Sequence, residues 1–405
     1  MSVDEPHHSD QSVTTGVRGT PEQTAMLVDE DSDTEPVLTV VMPTLNEEAG
    51  IEECITRVKN AVVELGVPTE IVVSDSSTDR TPEIAREMGA RVVEPDRDGY
   101  GYAYQYGFEH ARGEYIAMGD ADTTYDFEQL PQLYREVADG DADLVLGSRF
   151  EGEIKSGAMP PLHQYLGNPA LTAFLNVFYG SDISDAHSGF RVFTAEALDQ
   201  MSMESTGMEF ASEMLMSAVS EGLEVDEVPI TYHEREGEAT LDSFSDGWRH
   251  VKFMLANAPR GLFSVPGLVM SLLGTTIMAL GYAETQLFGH LFGLHSTILG
   301  SLLLLVGTQV GAFGYYTGLA SSPIQDPSGP ISDIVRSVFS LERGLLVGAM
   351  LMTSGVSIAG YLLYRWADSG FNELPAIAST IVAYTLILIG VQAFFSSFFV
   401  DILRK

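Results

Sequence analysis

After Pro259 the sequence becomes almost wholly apolar in four long stretches, at roughly residues 262–283, 296–320, 345–364 and 376–400. Each meets the requirement of about 20 residues for a helix that crosses a bilayer. Buried helices of a soluble core are the alternative, and four such segments in fewer than 150 residues argue against it. The connecting stretches near 284–295 and 367–375 contain no Lys or Arg, whereas Arg260 precedes the first span, Arg336 and Arg343 lie near 321–344, and Arg404-Lys405 follows the last. By the positive-inside rule a multi-pass protein of the cell membrane is expected, with both termini and the preceding domain cytoplasmic. Arg365, at the outer end of the third span, points the other way.

Charge divides the chain at the same place. Residues 259–405 hold 7 acids and 6 bases, while the first 258 residues hold 50 acids and 15 bases, so almost all of the net charge of -36 lies before the spans. A surface this acidic repels phosphodiester backbones, which excludes a nucleic-acid partner. An apolar fraction of 45% excludes a disordered acidic protein. A single cysteine, Cys54, excludes a disulfide framework and a cysteine-based zinc site. Four Lys against 57 acids is the balance of proteins from salt-loving archaea, where molar salt shortens the Debye length to about 3 Å and screens self-repulsion.

Residues 1–36 have neither a basic n-region nor an apolar run and read as a disordered acidic tail rather than a signal peptide, with His7-His8 an incidental pair. From residue 37 short β-branched runs alternate with helical patterns. Strands are expected at Val37–Met42, Glu70–Ser74, Arg91–Val93, Tyr115–Met118 and Asp143–Leu146. Helices are expected between them, the first with Ile51, Ile55, Val58, Val62 and Leu65 on its apolar face and the second opened by Thr81-Pro82. This alternation predicts an α/β domain with a mostly parallel, doubly wound sheet over 37–242. An amphipathic interfacial helix follows over 243–260, where Phe244, Trp248, Val251 and Leu255 recur at helical spacing, and a four-helix transmembrane domain fills 261–405.

Ligands of such sheets bind beyond the carboxyl ends of the strands, and three acidic clusters fall there. Asp120-Ala121-Asp122 ends the fourth strand, Pro43-Thr44-Leu45-Asn46-Glu47-Glu48 follows the first, and Ser74-Asp75-Ser76-Ser77-Thr78-Asp79-Arg80-Thr81 follows the second. Two aspartates two residues apart suit Mg²⁺ or Mn²⁺ bridging a diphosphate, although alone they read better as a solvated turn. The other carboxylates can accept from a nucleobase and ribose, while Ser76, Ser77 and the next helix N-terminus offer donors. Gly99-Tyr100-Gly101-Tyr102 is similar to a phosphate loop but lacks its further Gly and Lys, and reads better as a turn. Tyr100, Tyr102, Tyr104 and Tyr106 are expected half in the core and half on the surface of the next helix.

Taken in order, these motifs resemble glycosyltransferase family 2, over about residues 37–258. Gly147-Ser148-Arg149-Phe150, Asp185-Ala186-His187-Ser188-Gly189-Phe190-Arg191 and Tyr232-His233-Glu234-Arg235-Glu236-Gly237-Glu238 narrow the resemblance to its polyprenyl-phosphate hexosyltransferases, such as dolichyl-phosphate mannose or glucose synthases. The resemblance implies a GT-A fold and inverting transfer of a hexose from UDP-glucose, UDP-N-acetylglucosamine or GDP-mannose to dolichyl phosphate at the lipid bilayer. It implies a donor site of Pro43, Leu45, Glu47, Asp75, Ser76, Ser77, Asp79 and Asp120, with Asp120 and Asp122 holding Mg²⁺ or Mn²⁺. Asp122, Asp185 and Arg149 are the implied catalytic residues, Asp185 orienting the acceptor or accepting a residual proton, and Arg149, Arg191 and Arg235 are implied to meet its phosphate. Two positions depart from the family pattern: Thr124 stands where mannose synthases have Gln, and Ala239-Thr240-Leu241 where a Ser-Lys-Leu is usual.

Two other readings stay open. A processive polysaccharide synthase shares the Asp-x-Asp motif but usually carries Gln-x-x-Arg-Trp, which does not occur here. A non-catalytic lipid-handling membrane partner is opposed by the intact Asp120 and Asp122.

Overall fold

The structure, a computed structural model, describes residues 34–235, 259–287, 289–320, 341–372 and 376–403, with residues 20, 26–29, 32, 252, 253 and 257. The chain divides into two compact units, 1–251 and 252–405.

The first unit is an α/β domain around one seven-stranded sheet. Its elements are β1 (Leu38–Thr44), α1 (Ile51–Leu65), β2 (Thr69–Asp75), α2 (Thr81–Glu87), β3 (Arg91–Val93), α3 (Tyr100–Glu109), β4 (Tyr115–Met118), α4 (Leu130–Asp139), β5 (Leu144–Ile154), α5 (Asn168–Tyr179), β6 (Arg191–Thr194), α6 (Ala195–Gln200), α7 (Phe210–Glu221) and β7 (Val225–Tyr232). The strand order is β3-β2-β1-β4-β6-β5-β7. β6 alone runs against its neighbours β4 and β5, so the sheet is mostly parallel, as expected from the alternation. β1 and β2 are buried on both faces, which is why Val40-Val41-Met42 and Ile71-Val72-Val73 are apolar runs without polar alternation. α1 buries Ile51, Cys54, Ile55, Val58 and Val62 against them and ends on Gly66, whose φ of 69° is the left-handed cap conformation that glycine adopts without strain.

Two expectations are corrected. Gly147–Phe150 does not follow the fifth strand; β5 continues through it to Ile154, because β7 pairs along that extension as far as Tyr232. Residues 26–29, assigned to the disordered tail, pack on the sheet: Leu27 bridges Thr69, and the Val28 amide donates to Thr69 O at 2.9 Å with its side chain buried. Leu27 and Val28 are apolar enough to extend the sheet surface beside β2. Most of the remaining tail and most of the expected interfacial helix over 243–260 lie outside the described residues.

Residues 156–181 contain no Asp, Glu, Lys or Arg, an uncharged island in a strongly acidic domain. It folds as a π-helical turn over His163–Gly167 running into α5. Thr172, Leu175 and Tyr179 face inward, whereas Leu162, Tyr165, Leu166 and Val177 are 63–76% exposed. The outward face of this helix is therefore the apolar one, the reverse of an ordinary surface helix.

The second unit contains α8 (Pro259–Tyr282), α9 (Leu294–Ala320), α10 (Leu341–Asp368) and α11 (Ile377–Leu403). All four are long and apolar enough to cross a membrane, with mean hydropathy between 1.6 and 2.1. Glycines seven residues apart, Gly267, Gly274 and Gly281 on α8 and Gly300 and Gly307 on α9, bring the two backbones together. A Cβ on Gly267 would stand 2.5 Å from Gly311 N, and one on Gly307 2.5 Å from Ser271 N. Between apolar helices in lipid, close packing of this kind replaces the missing hydrophobic drive. Ser301 and Thr385 share a buried hydroxyl hydrogen bond of 2.7 Å between α9 and α11.

Candidate active site

The loops that leave β1, β2 and β4 meet at one edge of the sheet because those strands are neighbours in parallel register, Thr44 opposite Asp75 and Val41 opposite Met118. Hydrogen bonds tie the first two loops together. Thr44 Oγ1 donates to Asp75 Oδ1 at 2.7 Å and Ser76 N to Thr44 O at 3.0 Å. Asn46, at φ 60°, donates its amide to Ser77 Oγ at 2.7 Å and accepts from Thr78 N at 2.9 Å. Glu48 N donates to Asp79 Oδ2, while Asp79 Oδ1 accepts from the Thr81 amide and hydroxyl. Partial burial pushes the Asp79 carboxyl up, but these hydrogen bonds outweigh it and hold it below its ordinary value. Ser77 and Asp79 thus brace the rim. Pro43 is half-buried, and Leu45 is exposed at the edge.

The β4 loop supplies the aspartates. α1 starts directly against it, since a Cβ on Gly50 would stand 3.0 Å from Ala121 O. Asp120 Oδ1 accepts from Tyr100 Oη at 2.9 Å and Tyr104 Oη at 3.0 Å. Asp122 Oδ1 accepts from the Thr124 amide at 3.1 Å and its hydroxyl at 2.5 Å, across a turn that places Thr123 at φ 65°. On the other side Arg235 reaches in from beyond β7, bonding Glu47 Oε1 at 2.5 Å and lying 3.7 Å from Asp122 Oδ2. Its approach is fixed by the adjoining His233 amide, which donates to Thr124 O at 2.9 Å.

Glu47, Asp120, Asp122 and Arg235 are therefore brought together. Burial pushes the Glu47 carboxyl up to about 7; Arg235 offsets part of this and the neighbouring aspartates add to it. Burial and the Asp122 charge push Asp120 to about 6 against the opposing tyrosine hydroxyls. Negative charge crowded at the strand ends in this way favours a cation between the groups. Hard oxygen donors in low number fit Mg²⁺ or Mn²⁺. Among the described residues no three His, Cys, Asp or Glu side chains are arranged to hold a metal unaided, so a bound ion would draw further oxygens from a ligand or water.

The remaining sequence candidates are placed differently. Arg149 and Asp185 form a buried bidentate pair, Nε to Oδ2 at 2.7 Å and Nη2 to Oδ1 at 2.8 Å, with the Arg149 amide also on Oδ2. Burial opposes the Asp185 charge, but Arg149 outweighs it and keeps the carboxyl below its ordinary value. Arg149 lies over the Tyr232 ring at 5.2 Å, and Glu227 holds the Asp185 loop by accepting from the Ser184 and Asp185 amides. Arg191 is fully buried and donates to the carbonyls of Ser188 and Ala186. In this geometry Asp185 and Arg149 hold the chain around the site through their mutual bonds, while Arg191 Nη1 is buried with no hydrogen-bond partner among the described residues. Of the three expected phosphate-binding arginines, Arg235 has the most exposed side chain, at 26% against 7% for Arg149.

Sequence reasoning missed Tyr100 and Tyr104. Their spacing of four places both on one helix face, but nothing in it shows that this face meets Asp120. The segment read as a turn starts α3 instead, and the Gly101 and Tyr102 amides both donate to Thr206 O, so those N–H groups are not free for a phosphate.

Residues 39–202 match glycosyl transferase family 2, and residues 317–404 match the glycosyltransferase family 2 C-terminal transmembrane region. A low-salt glycan biosynthesis hexosyltransferase, Agl6, of Haloferax volcanii is 53% identical over 92% of this chain and 90% of its own length. A dolichyl-phosphate hexose transferase of the same organism is 37% identical over 52% of this chain and 89% of its own length. An undecaprenyl-phosphate mannosyltransferase of Micrococcus luteus is 33% identical over 51% and 87% respectively. Among solved structures, glucosyl-3-phosphoglycerate synthase of Mycobacterium tuberculosis with Mn²⁺, UDP and product is similar at a TM-score of 0.44 and 24% identity, over 55% of this chain and 80% of that one.

Proposed function

The chain belongs to glycosyltransferase family 2, and on that premise we propose that it moves a hexose from a nucleotide diphosphate sugar to a polyprenyl phosphate of the dolichyl type. One observation carries the reading: Asp120, Asp122 and Glu47 converge at the strand ends of a chain that also has four membrane-length helices. The relatives named for dolichyl and undecaprenyl phosphate support the acceptor class. The donor is UDP-glucose, UDP-N-acetylglucosamine or GDP-mannose. The catalytic domain and both termini face the cytoplasm, where nucleotide sugars are available.

In this reading Asp75, Ser76, Ser77, Asp79, Pro43 and Leu45 line the nucleotide side. Asp120 and Asp122 would hold Mg²⁺ or Mn²⁺, which when bound would supply positive charge beside the departing diphosphate. The acceptor phosphate has a second pKa near 6, so it reaches the site largely as a dianion and needs no strong general base. Its oxygen attacks the anomeric carbon as the bond from that carbon to the diphosphate breaks, inverting the configuration. Arg235 turns from Glu47 toward the acceptor phosphate, two of whose oxygens the planar guanidinium fork matches bidentately. Asp185, Arg149 and Arg191 act by positioning the loops around it. The uncharged face of Leu162, Tyr165, Leu166 and Val177 rests on the bilayer, because in an acidic, salt-adapted domain an exposed apolar face needs a cover, and the lipid headgroup must come to the site.

Membranes containing the protein, incubated with each labelled donor and dolichyl phosphate, test this reading. Label that partitions into organic solvent with one donor supports it, and label found only in water-soluble product contradicts it.

A further inference from the structure

Both aspartates of the pair are held in the same way. Each has Oδ1 tied by two donors from the protein, the Tyr100 and Tyr104 hydroxyls for Asp120 and the Thr124 amide and hydroxyl for Asp122. Neither Oδ2 accepts a hydrogen bond from the described residues; Asp122 Oδ2 lies 3.7 Å from the Arg235 Nε, as an ion pair. Thr124 lies within the same turn as its aspartate, but the two tyrosines come from a separate helix, and their placement is built.

Gly99 and Gly101 flank Tyr100. Gly99 sits at φ 140°, where a side chain is strained, and a Cβ there would collide with Thr206 O. A Cβ on Gly101 would stand 2.5 Å from Ser205 O and 2.7 Å from Phe210 Cβ. The two glycines thus let the 205–207 segment lie directly on the first turn of α3, where Thr206 O takes the Gly101 amide at 3.0 Å. Tyr104 is fully buried and stacks on Phe210 at 5.7 Å between near-parallel rings, while Tyr100 meets the Tyr104 ring edge-on at 5.2 Å. The aromatic packing fixes both rings, and both hydroxyls end on the same oxygen.

We propose that Tyr100 and Tyr104 are positioning residues that lock Asp120 so that only Oδ2 is presented to the divalent cation of the donor complex. A carboxylate free to rotate would offer either oxygen, in one- or two-oxygen coordination. Two hydroxyl donors on Oδ1 remove that freedom and leave a single ligand atom. Outer partners of this kind orient ligating carboxylates, and their loss typically weakens metal affinity about 10–100-fold. The glycines act one step further back, by seating the segment that fixes the helix start. This inference rests on the reading that Asp120 and Asp122 hold a cation.

The test is Mn²⁺ titration of the full-length protein in detergent, read by electron paramagnetic resonance, alone and with UDP or GDP. Tyr100→Phe and Tyr104→Phe, singly and together, remove the hydroxyls and keep the rings. The dissociation constant for Mn²⁺ should rise about tenfold or more in the double variant, less in each single one. Tyr102→Phe is the control on the same helix, since its hydroxyl bonds Asp96 instead, and should leave Mn²⁺ affinity unchanged. Wild-type affinity in the double variant would overturn the assignment, as would equal weakening by Tyr102→Phe. If the double variant does not fold, the singles decide by the same criterion. Failure of the wild-type protein to bind Mn²⁺ under any of these conditions would remove the cation reading itself, a result distinct from binding that ignores the tyrosines.

Discussion

Arg235 and Asp122 lie 3.7 Å apart, with the same guanidinium also bonded to Glu47, so a positive side chain bridges two of the three carboxylates at the strand ends. The bridge joins the end of β7 to the loops after β1 and β4. It accounts for how a domain with 50 acids keeps three of them close together. Salt screens the exposed surface charges but screens buried pairs much less, so these groups need a partner of their own.

The Glu47 carboxyl sets a pH dependence. Burial raises it to about 7 from an ordinary 4.5, with Arg235 opposing in part. For a group raised on folding, its contribution to stability is fully present below about pH 4.5 and is lost as pH rises through 7. Glu47→Gln should therefore stabilise the cation-free protein more at pH 8 than at pH 5. Thermal melts at the two pH values check this. An equal effect at both would mean that Glu47 is not raised.

Arg149 and Asp185 should behave as structure. Removing one partner of a buried ion pair typically costs about 3–5 kcal/mol, because the other charge is left unpaired. Asp185→Ala and Arg149→Ala should each lower stability by that order, and molar salt should not rescue them. Chemical denaturation of the full-length protein measures this.

The apolar face over α5 should matter only for lipid acceptors. Leu166→Glu, at a side chain 63% exposed, should leave the melting temperature unchanged. Losing about 1.4 kcal/mol of lipid contact should raise the KM for dolichyl phosphate about tenfold, with no change for a short water-soluble phosphate acceptor. Steady-state kinetics with both acceptors separate the two effects.

In the membrane unit the glycine contacts between α8 and α9 predict sensitivity to added volume. A Cβ on Gly274 would lie 2.7 Å from Gly300 O, so Gly274→Leu should force the helices apart and cost at least about 1–3 kcal/mol. Less folded protein after detergent extraction, compared with Leu272→Ala on the exposed face of the same helix, is the readout.

What the sequence made legible followed from short-range pattern. Alternating β-branched runs and helical spacing placed β1 to β4 in order, and the rule that ligands sit at strand ends then singled out Glu47, Asp75, Asp120 and Asp122. The four spans were readable from length and apolarity alone. The rest depends on contacts far apart in sequence. The direction of β6 is carried by no local signal in a four-residue run, yet it decides that Arg191 is buried. Arg149 and Asp185 are 36 residues apart, and their pairing requires β5 and the 184–188 loop to be in place. Tyr100 and Tyr104 looked like ordinary helix residues because their partner is set by the 205–207 segment resting on Gly99 and Gly101.

In the proposed function Asp122 serves transfer of sugar to a lipid phosphate. Its most direct test compares purified wild-type protein with Asp122→Ala, using the active labelled donor, Mn²⁺ and dolichyl phosphate, after showing that the two melt alike. The expected result is a loss of organic-extractable label of at least about 100-fold, beyond the usual effect of residues that only support a metal ligand. Undiminished transfer by the folded variant would contradict it.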